Sequence, residues 1–116
     1  MTLQTKTQNL LEQYVKLLQP IYGSHLKNVI LFGSYARGDY NDDSDIDVMI
    51  LLDLDDDSMK LYRKELCANT NDFNMDNDVF VQIITVNINT FTKWKMVHPL
   101  YVNVVREGVS IYDAAA

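Results

Sequence analysis

The sequence is poor in the residues that mark extracellular, membrane-spanning and polyanion-binding proteins. Cys67 is the only cysteine of the 116 residues, which excludes a disulfide framework and a cysteine-based zinc site. No apolar run approaches the ~18 residues of a membrane-spanning helix, and the first residues lack the apolar core of a secretory signal. Acidic residues outnumber basic ones, 16 to 10, which argues against nonspecific nucleic-acid binding. These absences predict a cytoplasmic protein that has no membrane partner.

The residues that are present predict one domain over residues 1–116. Hydrophobic residues make up 47% of the chain, which suits a folded core at this length. Phe91, Trp94 and Val97 predict a buried helical stripe. The pattern favours an α/β or α+β fold, with one small mixed sheet and helices packed against it. The expected elements are helices over residues 3–22, 59–69, 87–97 and 100–107, strands over 27–32, 46–52, 78–86 and 109–112, and a turn segment over 69–77.

Asp45 and Asp47 stand at the start of the second predicted strand, separated by one residue. Side chains alternate along a strand, so both carboxylates are expected on one face, about 6.6 Å apart along the chain. Two such charges repel each other unless a cation lies between them. Mg²⁺ prefers oxygen ligands of this kind, so the pair predicts a metal site, although a solvated acidic loop end has the same pattern.

Gly33 and Ser34 follow the first predicted strand directly. A glycine in this position lets the backbone approach a ligand closely, and the N–H groups that follow can face an anion. The Ser34 hydroxyl adds one donor. An ordinary strand-to-helix turn would have the same two residues.

The two halves together, with ten residues between Ser34 and Asp45, resemble the signature of the DNA polymerase β-like nucleotidyltransferase superfamily. The segment LFGSYARGDYNDDSDIDVMI is most similar to the minimal nucleotidyltransferases (MNT type), whose pattern is Phe-Gly-Ser-x-Ala-Arg-Gly followed by Ser-Asp-x-Asp. The matching residues are Phe32, Gly33, Ser34, Ala36, Arg37, Gly38, Ser44, Asp45 and Asp47.

The resemblance implies a role for each residue of the motif. Asp45 and Asp47 would be the catalytic carboxylates and would hold one or two Mg²⁺ ions. Gly33 and Ser34 would bind the phosphates of ATP or another NTP. Arg37 has two possible partners, a nucleotide phosphate or the acidic loop over residues 39–43. The acidic loop is favoured because its negative charges need a partner.

The third strand departs from the family pattern. Active members generally carry a third carboxylate there, and the segment Val81-Gln82-Ile83-Ile84 aligns with its usual context, so Gln82 takes the place of the acid. A glutamine can orient a water or a hydroxyl, but it cannot accept a proton as a carboxylate does. Asp78 is the candidate substitute, although four strand residues place it about 13 Å from Gln82 unless a bulge or slipped register intervenes.

The resemblance implies transfer of a nucleoside monophosphate, AMP from ATP in the first instance, to a hydroxyl of a protein or small molecule. It also implies a HEPN-type protein partner, with this chain as the antitoxin. The alternative is a weakly active or inactive binding module of the same fold that acts through a partner. An antibiotic-modifying enzyme is a third interpretation, disfavoured because an added helical domain is missing.

Overall fold

The computed structural model describes residues 4–115, which form five α-helices and four strands. The helices are α1 (Thr5–Tyr22), α2 (Ser34–Arg37), α3 (Asp56–Asn77), α4 (Ile88–Trp94) and α5 (Pro99–Glu107). The strands are β1 (Leu26–Phe32), β2 (Ile46–Leu52), β3 (Val81–Asn87) and β4 (Val109–Asp113). The predicted fold class is confirmed, because the strands make one mixed sheet and the helices pack on it.

The sheet has the strand order β3-β2-β1-β4, so the two central strands are the two that flank the motif. β1 runs antiparallel to both β2 and β4, whereas β2 and β3 are parallel. The end of β1 and the starts of β2 and β3 therefore meet at the same edge of the sheet. The residues at this edge carry the candidate site.

Each face of the sheet is covered by its own pair of helices. One face packs on α1 and α3 through a cluster that includes Leu18, Val48 and Ile50. The other face packs on α4 and α5 through a second cluster that includes Met49 and Phe91. Central strands that are covered on both faces read as continuous apolar runs, which explains the sequence of β2.

The prediction of a turn over residues 69–77 is wrong, because α3 continues to Asn77. Asparagine and aspartate are frequent in turns, and their density here favoured one. Leu66, Thr70 and Phe73 nevertheless lie at helical spacing and are buried. The ring of Phe73 packs 5.1 Å from that of Tyr14 on α1, so tertiary packing overrides the local preference.

The start of the third strand was also predicted incorrectly. Asp78 is not in β3 but ends α3 in the left-handed conformation, with φ of +52°, and the strand begins three residues later at Val81. The Asn74 side chain organises this turn, since its Oδ1 accepts a hydrogen bond from the Val81 N–H at 2.9 Å. Asparagine and aspartate tolerate positive φ better than other side chains, which suits Asp78 to this place.

The predicted stripe of Phe91, Trp94 and Val97 is only partly buried. Phe91 is in the core, but Trp94 is 45% exposed and Val97 is 69% exposed. The reason is that α4 ends at Trp94, whose carbonyl accepts hydrogen bonds from the N–H groups of Val97 and His98. Within residues 4–115, none of the helices has the length and apolar character needed to cross a membrane.

The packing of α3 on α1 predicts energetic coupling between Tyr14 and Thr70, whose hydroxyl oxygens are 2.8 Å apart and buried. We expect Tyr14→Phe to lower the free energy of unfolding by about 1 kcal/mol, because the Thr70 hydroxyl loses its partner. Tyr14→Phe combined with Thr70→Val should cost less than the sum of the two single changes. Urea denaturation of the four proteins measures this, and strictly additive costs would contradict it.

Candidate active site at the edge of the sheet

The β1–β2 pairing brings the glycine of the motif against its second aspartate. Phe32, the last residue of β1, is the register partner of Asp47 on β2. Gly33 follows with φ of +76° and ψ of −154°, a backbone conformation that is essentially confined to glycine. A Cβ atom at Gly33 would overlap the Asp47 carboxylate oxygen Oδ2. The space that a side chain would occupy is therefore filled by the carboxylate.

Two carboxylates, Asp45 and Asp47, lie at this edge, and the negative charge of Asp47 is only partly compensated by Arg37. Asp45 is exposed, whereas Asp47 is partly buried. Burial raises the pKa of Asp47, the negative charge of Asp45 raises it further, and the Arg37 guanidinium lowers it. The site thus holds concentrated negative charge, which favours binding of a cation.

The loop that leads into Asp45 is held by its own hydrogen bonds. Asn41 Oδ1 accepts from the Asp43 N–H at 2.8 Å, and Ser44 Oγ accepts from the Asn41 N–H at 3.0 Å. The rings of Tyr35 and Tyr40 stack with their centroids 4.1 Å apart and connect the start of the loop to α2. Ser44 of the motif therefore shapes the turn before Asp45.

α2 is short and begins directly after Gly33. Its first intrahelical bond runs from the Arg37 N–H to the Gly33 carbonyl at 3.0 Å, so the N–H groups of Ser34 and Tyr35 have no acceptor within the helix. Gly38 ends α2 with φ of +86°. These first N–H groups and the Ser34 hydroxyl are donors beside the two carboxylates.

The β2–β3 register places Gln82 beside Asp47. The parallel pairing runs without a break from Ile46 opposite Val81 to Leu52 opposite Asn87, so it contains neither the bulge nor the slipped register that Asp78 would need. Asp78 instead lines a cavity of about 280 Å³ together with Asp45, and Asp47 is not among its lining residues. The residue that shares the strand edge with Asp47 is the glutamine.

Arg37 lies between two carboxylates. Its Nε donates to Asp39 at 3.1 Å, and its Nη1 donates to Glu107 at 3.1 Å. The first contact agrees with the interpretation that Arg37 pairs with the acidic loop. Sequence analysis did not find Glu107, because 70 residues separate it from Arg37 and no local pattern connects them.

The residues present fit a divalent cation such as Mg²⁺. Mg²⁺ is usually held in proteins by one or two carboxylates, with phosphate oxygens and waters as its other ligands. Asp45 and Asp47 supply that number close to N–H donors that have no acceptor within α2. Within residues 4–115, no group of three or more His, Cys, Asp or Glu side chains is arranged to hold a metal ion.

Comparison with known proteins identifies relatives of this chain. The nucleotidyltransferase domain family matches residues 10–106. A Methanocaldococcus jannaschii protein, named as an inferred protein adenylyltransferase, is 35% identical over 102 residues, which cover 88% of this chain and 94% of that protein. A second protein of that organism, named in the same way, is 49% identical over 43 residues, which cover 37% of this chain and 43% of that protein.

Solved structures with the same fold have lower sequence identity. A chain from Sulfolobus solfataricus, described as an inferred nucleotidyltransferase, has a TM-score of 0.63 and 21% identity over 95% of this chain and 83% of its own length. A chain in the complex of the tri-AMPylated HEPN toxin of Shewanella oneidensis with MNT antitoxin has a TM-score of 0.55 and 23% identity, over 93% and 74% respectively. These likenesses establish the fold.

The contact between Gly33 and Asp47 predicts different costs for two glycine substitutions. Gly23 also has positive φ, +56°, but a Cβ there would meet no atom within 4 Å. Gly33→Ala should therefore lower the midpoint of thermal unfolding more than Gly23→Ala, since both have backbone strain but only the first collides with Asp47. The difference should shrink in an Asp47→Ala background. The contact would be contradicted if the difference between the two substitutions were the same in the wild-type protein and in the Asp47→Ala background.

Proposed function

We propose that this chain, which belongs to the nucleotidyltransferase domain family, transfers a nucleoside monophosphate from a nucleoside triphosphate to a hydroxyl. The observation that carries the proposal is the approach of the Gly33 backbone to the Asp47 carboxylate, with Asp45 two residues before Asp47 in the chain. It brings anion-binding donors and cation-binding carboxylates to one edge of the sheet. The name of the Methanocaldococcus relative favours AMP from ATP as the transferred group and a protein as its acceptor.

Different residues at this edge would bind the phosphates and the metal ions of the nucleotide complex. The backbone after Gly33 and the Ser34 hydroxyl would donate to phosphate oxygens, because their donors lack partners within α2. Asp45 and Asp47 would hold one or two Mg²⁺ ions. Bound Mg²⁺ would neutralise phosphate charge and polarise the phosphorus that the acceptor attacks.

The reaction balances without a covalent enzyme intermediate. The acceptor oxygen forms a bond to the α-phosphorus, and the bond between that phosphorus and the oxygen bridging to the β-phosphate breaks. Pyrophosphate leaves with the electrons of that bond, and the acceptor hydroxyl loses its proton. Positioning of the two reactants supplies most of the rate enhancement that such a site can give.

Gln82 lies where a carboxylate would be placed to accept that proton. Its amide can orient the acceptor hydroxyl from a position beside Asp47, but it cannot take up the proton. The proton would then pass to water or to a group of the acceptor, which predicts slow turnover. This substitution favours, as a second candidate function, a binding module with weak or no activity.

Both candidate functions include a protein partner of HEPN type, with this chain as antitoxin. Among solved structures of the same fold is a complex of a HEPN toxin with MNT antitoxin. Residues 79–106 of this chain contain no acid, in a protein whose net charge is −6, and Trp94, Met96 and Val97 are exposed there. We expect the partner to bind at this acid-free segment, where it would cover the exposed apolar side chains.

Incubation with Mg²⁺ and ATP labelled at the α-phosphate tests the enzyme, with and without the protein encoded beside this one in its genome. We expect label on the partner, and Asp47→Ala should reduce the rate by at least about 100-fold because it removes one of two cation ligands. Ser58→Ala, in the first turn of α3, is the control. Absence of transfer, with a partner complex that survives Asp45→Ala/Asp47→Ala, would contradict the enzyme and favour the binding module.

Restoring an acid at position 82 is expected to accelerate transfer. Gln82→Asp places a carboxylate beside Asp47, where it can accept a proton or bind a cation, and general-base catalysis contributes about 10²–10⁴-fold in other enzymes. The initial rate of label transfer measures the effect, and Asp78→Asn serves as the control that should leave the rate unchanged. An unaltered rate in Gln82→Asp would mean that proton removal does not limit turnover.

A further inference from the structure

Arg37 bonds two acids, although a nucleotide phosphate is the other partner that the family resemblance implies for it. Its Nε bonds Asp39 and its Nη1 bonds Glu107, each at 3.1 Å, which uses two of the five guanidinium donors among the contacts of residues 4–115. The two carboxylates differ in exposure. The Asp39 side chain is 62% exposed, whereas that of Glu107 is 22% exposed.

The exposure of each carboxylate determines how easily another anion replaces it at Arg37. A pair between exposed groups on a loop contributes little, because water screens the charges and both side chains lose freedom. Asp39 lies in the loop only two residues from Arg37. Glu107 lies on α5, across the α4/α5 side of the sheet, so its contact joins two separate elements.

The position of Glu107 is fixed by the chain that follows it. A Cβ atom at Gly108 would overlap the Val104 carbonyl oxygen and the Ile30 side chain, so α5 ends tightly against β1. A carboxylate at the C-terminal end of a helix faces the negative end of the helix dipole, which is unfavourable without a cation. Arg37 supplies that cation, and the placement of Glu107 is therefore explained by the site and not by the helix.

Arg37 itself is one helical turn from the phosphate-binding turn. Its N–H donates to the Gly33 carbonyl at 3.0 Å, and Gly33 contacts Asp47. Ser34 and Arg37 belong to the same short helix, so a phosphate at the donors of Ser34 could also bind the guanidinium if one of the two carboxylates gives up its bond to Arg37.

We propose, on the basis of the proposed function, that Glu107 is a positioning residue for Arg37 and that Asp39 is the carboxylate that a nucleotide phosphate displaces. Glu107 retains the guanidinium at the site during the exchange. Asp39 occupies the anion position while no nucleotide is bound. The two acids therefore have opposite effects on nucleotide affinity.

Calorimetric titration of the folded protein with AMP-PNP and Mg²⁺ tests the opposite signs without turnover. Glu107→Gln should weaken binding roughly tenfold, because a charge-assisted bond to Arg37 is lost. Asp39→Asn should tighten binding roughly threefold, since the competing carboxylate becomes neutral. In an Arg37→Ala background neither change should alter the affinity. Arg106→Ala, next to Glu107 but bonded to Asn103 on its own helix, is the control.

A double-mutant cycle on the free protein provides a readout that does not depend on the nucleotide. The coupling of Arg37 with Glu107 in urea unfolding should exceed that of Arg37 with Asp39. Three results would overturn this inference but not the proposed function. They are weaker nucleotide binding in both acid variants, an effect of Glu107→Gln that persists in the Arg37→Ala background, and a coupling of Arg37 with Asp39 that exceeds its coupling with Glu107. A wild-type protein that binds no nucleotide would overturn the proposed function with it.

Discussion

The site depends on one short-range constraint, the absence of a side chain at Gly33 where the Asp47 carboxylate approaches the backbone. The β1–β2 pairing creates this contact, because it sets Phe32 opposite Asp47 and leaves the next residue to turn away from the sheet. The arrangement of donors and carboxylates on which we base the proposed nucleotide site depends on this contact. Donors at the start of α2 and carboxylates at the start of β2 are brought together although they belong to opposite ends of a loop.

The protein maintains this arrangement at an electrostatic cost. Asp47 is partly buried next to Asp45, and its raised pKa reports that the ionised form is disfavoured there. Between the ordinary pKa of an aspartate and this raised value, the folded state binds more protons than the unfolded state. Stability therefore falls as pH rises through that window. A divalent cation would remove the cost, which couples folding energy to ligand binding as in other sites that concentrate like charges.

Most of the site's framework is predictable from sequence because it is local. The turn after Phe32, the two aspartates and the apolar run of β2 lie within 20 residues, and the residue pattern predicts the two strands that flank the turn and the aspartates. Non-local features are different. The parallel register that sets Gln82 beside Asp47 depends on the crossover through α3, so only the family resemblance, and not the local residue pattern, indicated the position of Gln82. The contact of Arg37 with Glu107 spans 70 residues and was not predicted. Asn74 illustrates the same limit of sequence analysis. Asparagine is typical of turns, but Asn74 lies within α3, which tertiary packing extends, and its side chain accepts a hydrogen bond from the start of β3.

Paramagnetic broadening by Mn²⁺ in the presence of AMP-PNP tests the central claim most directly, because Mn²⁺ substitutes for Mg²⁺ and broadens the amide signals of residues near it. We expect selective loss of the signals of Gly33, Ser34, Ile46, Asp47 and Gln82. We also expect the signals of the acidic segment over residues 53–57, which carries four carboxylates, to remain sharp. Broadening centred on that segment, or no broadening at the edge of the sheet, would contradict a metal–nucleotide site built on Gly33 and Asp47.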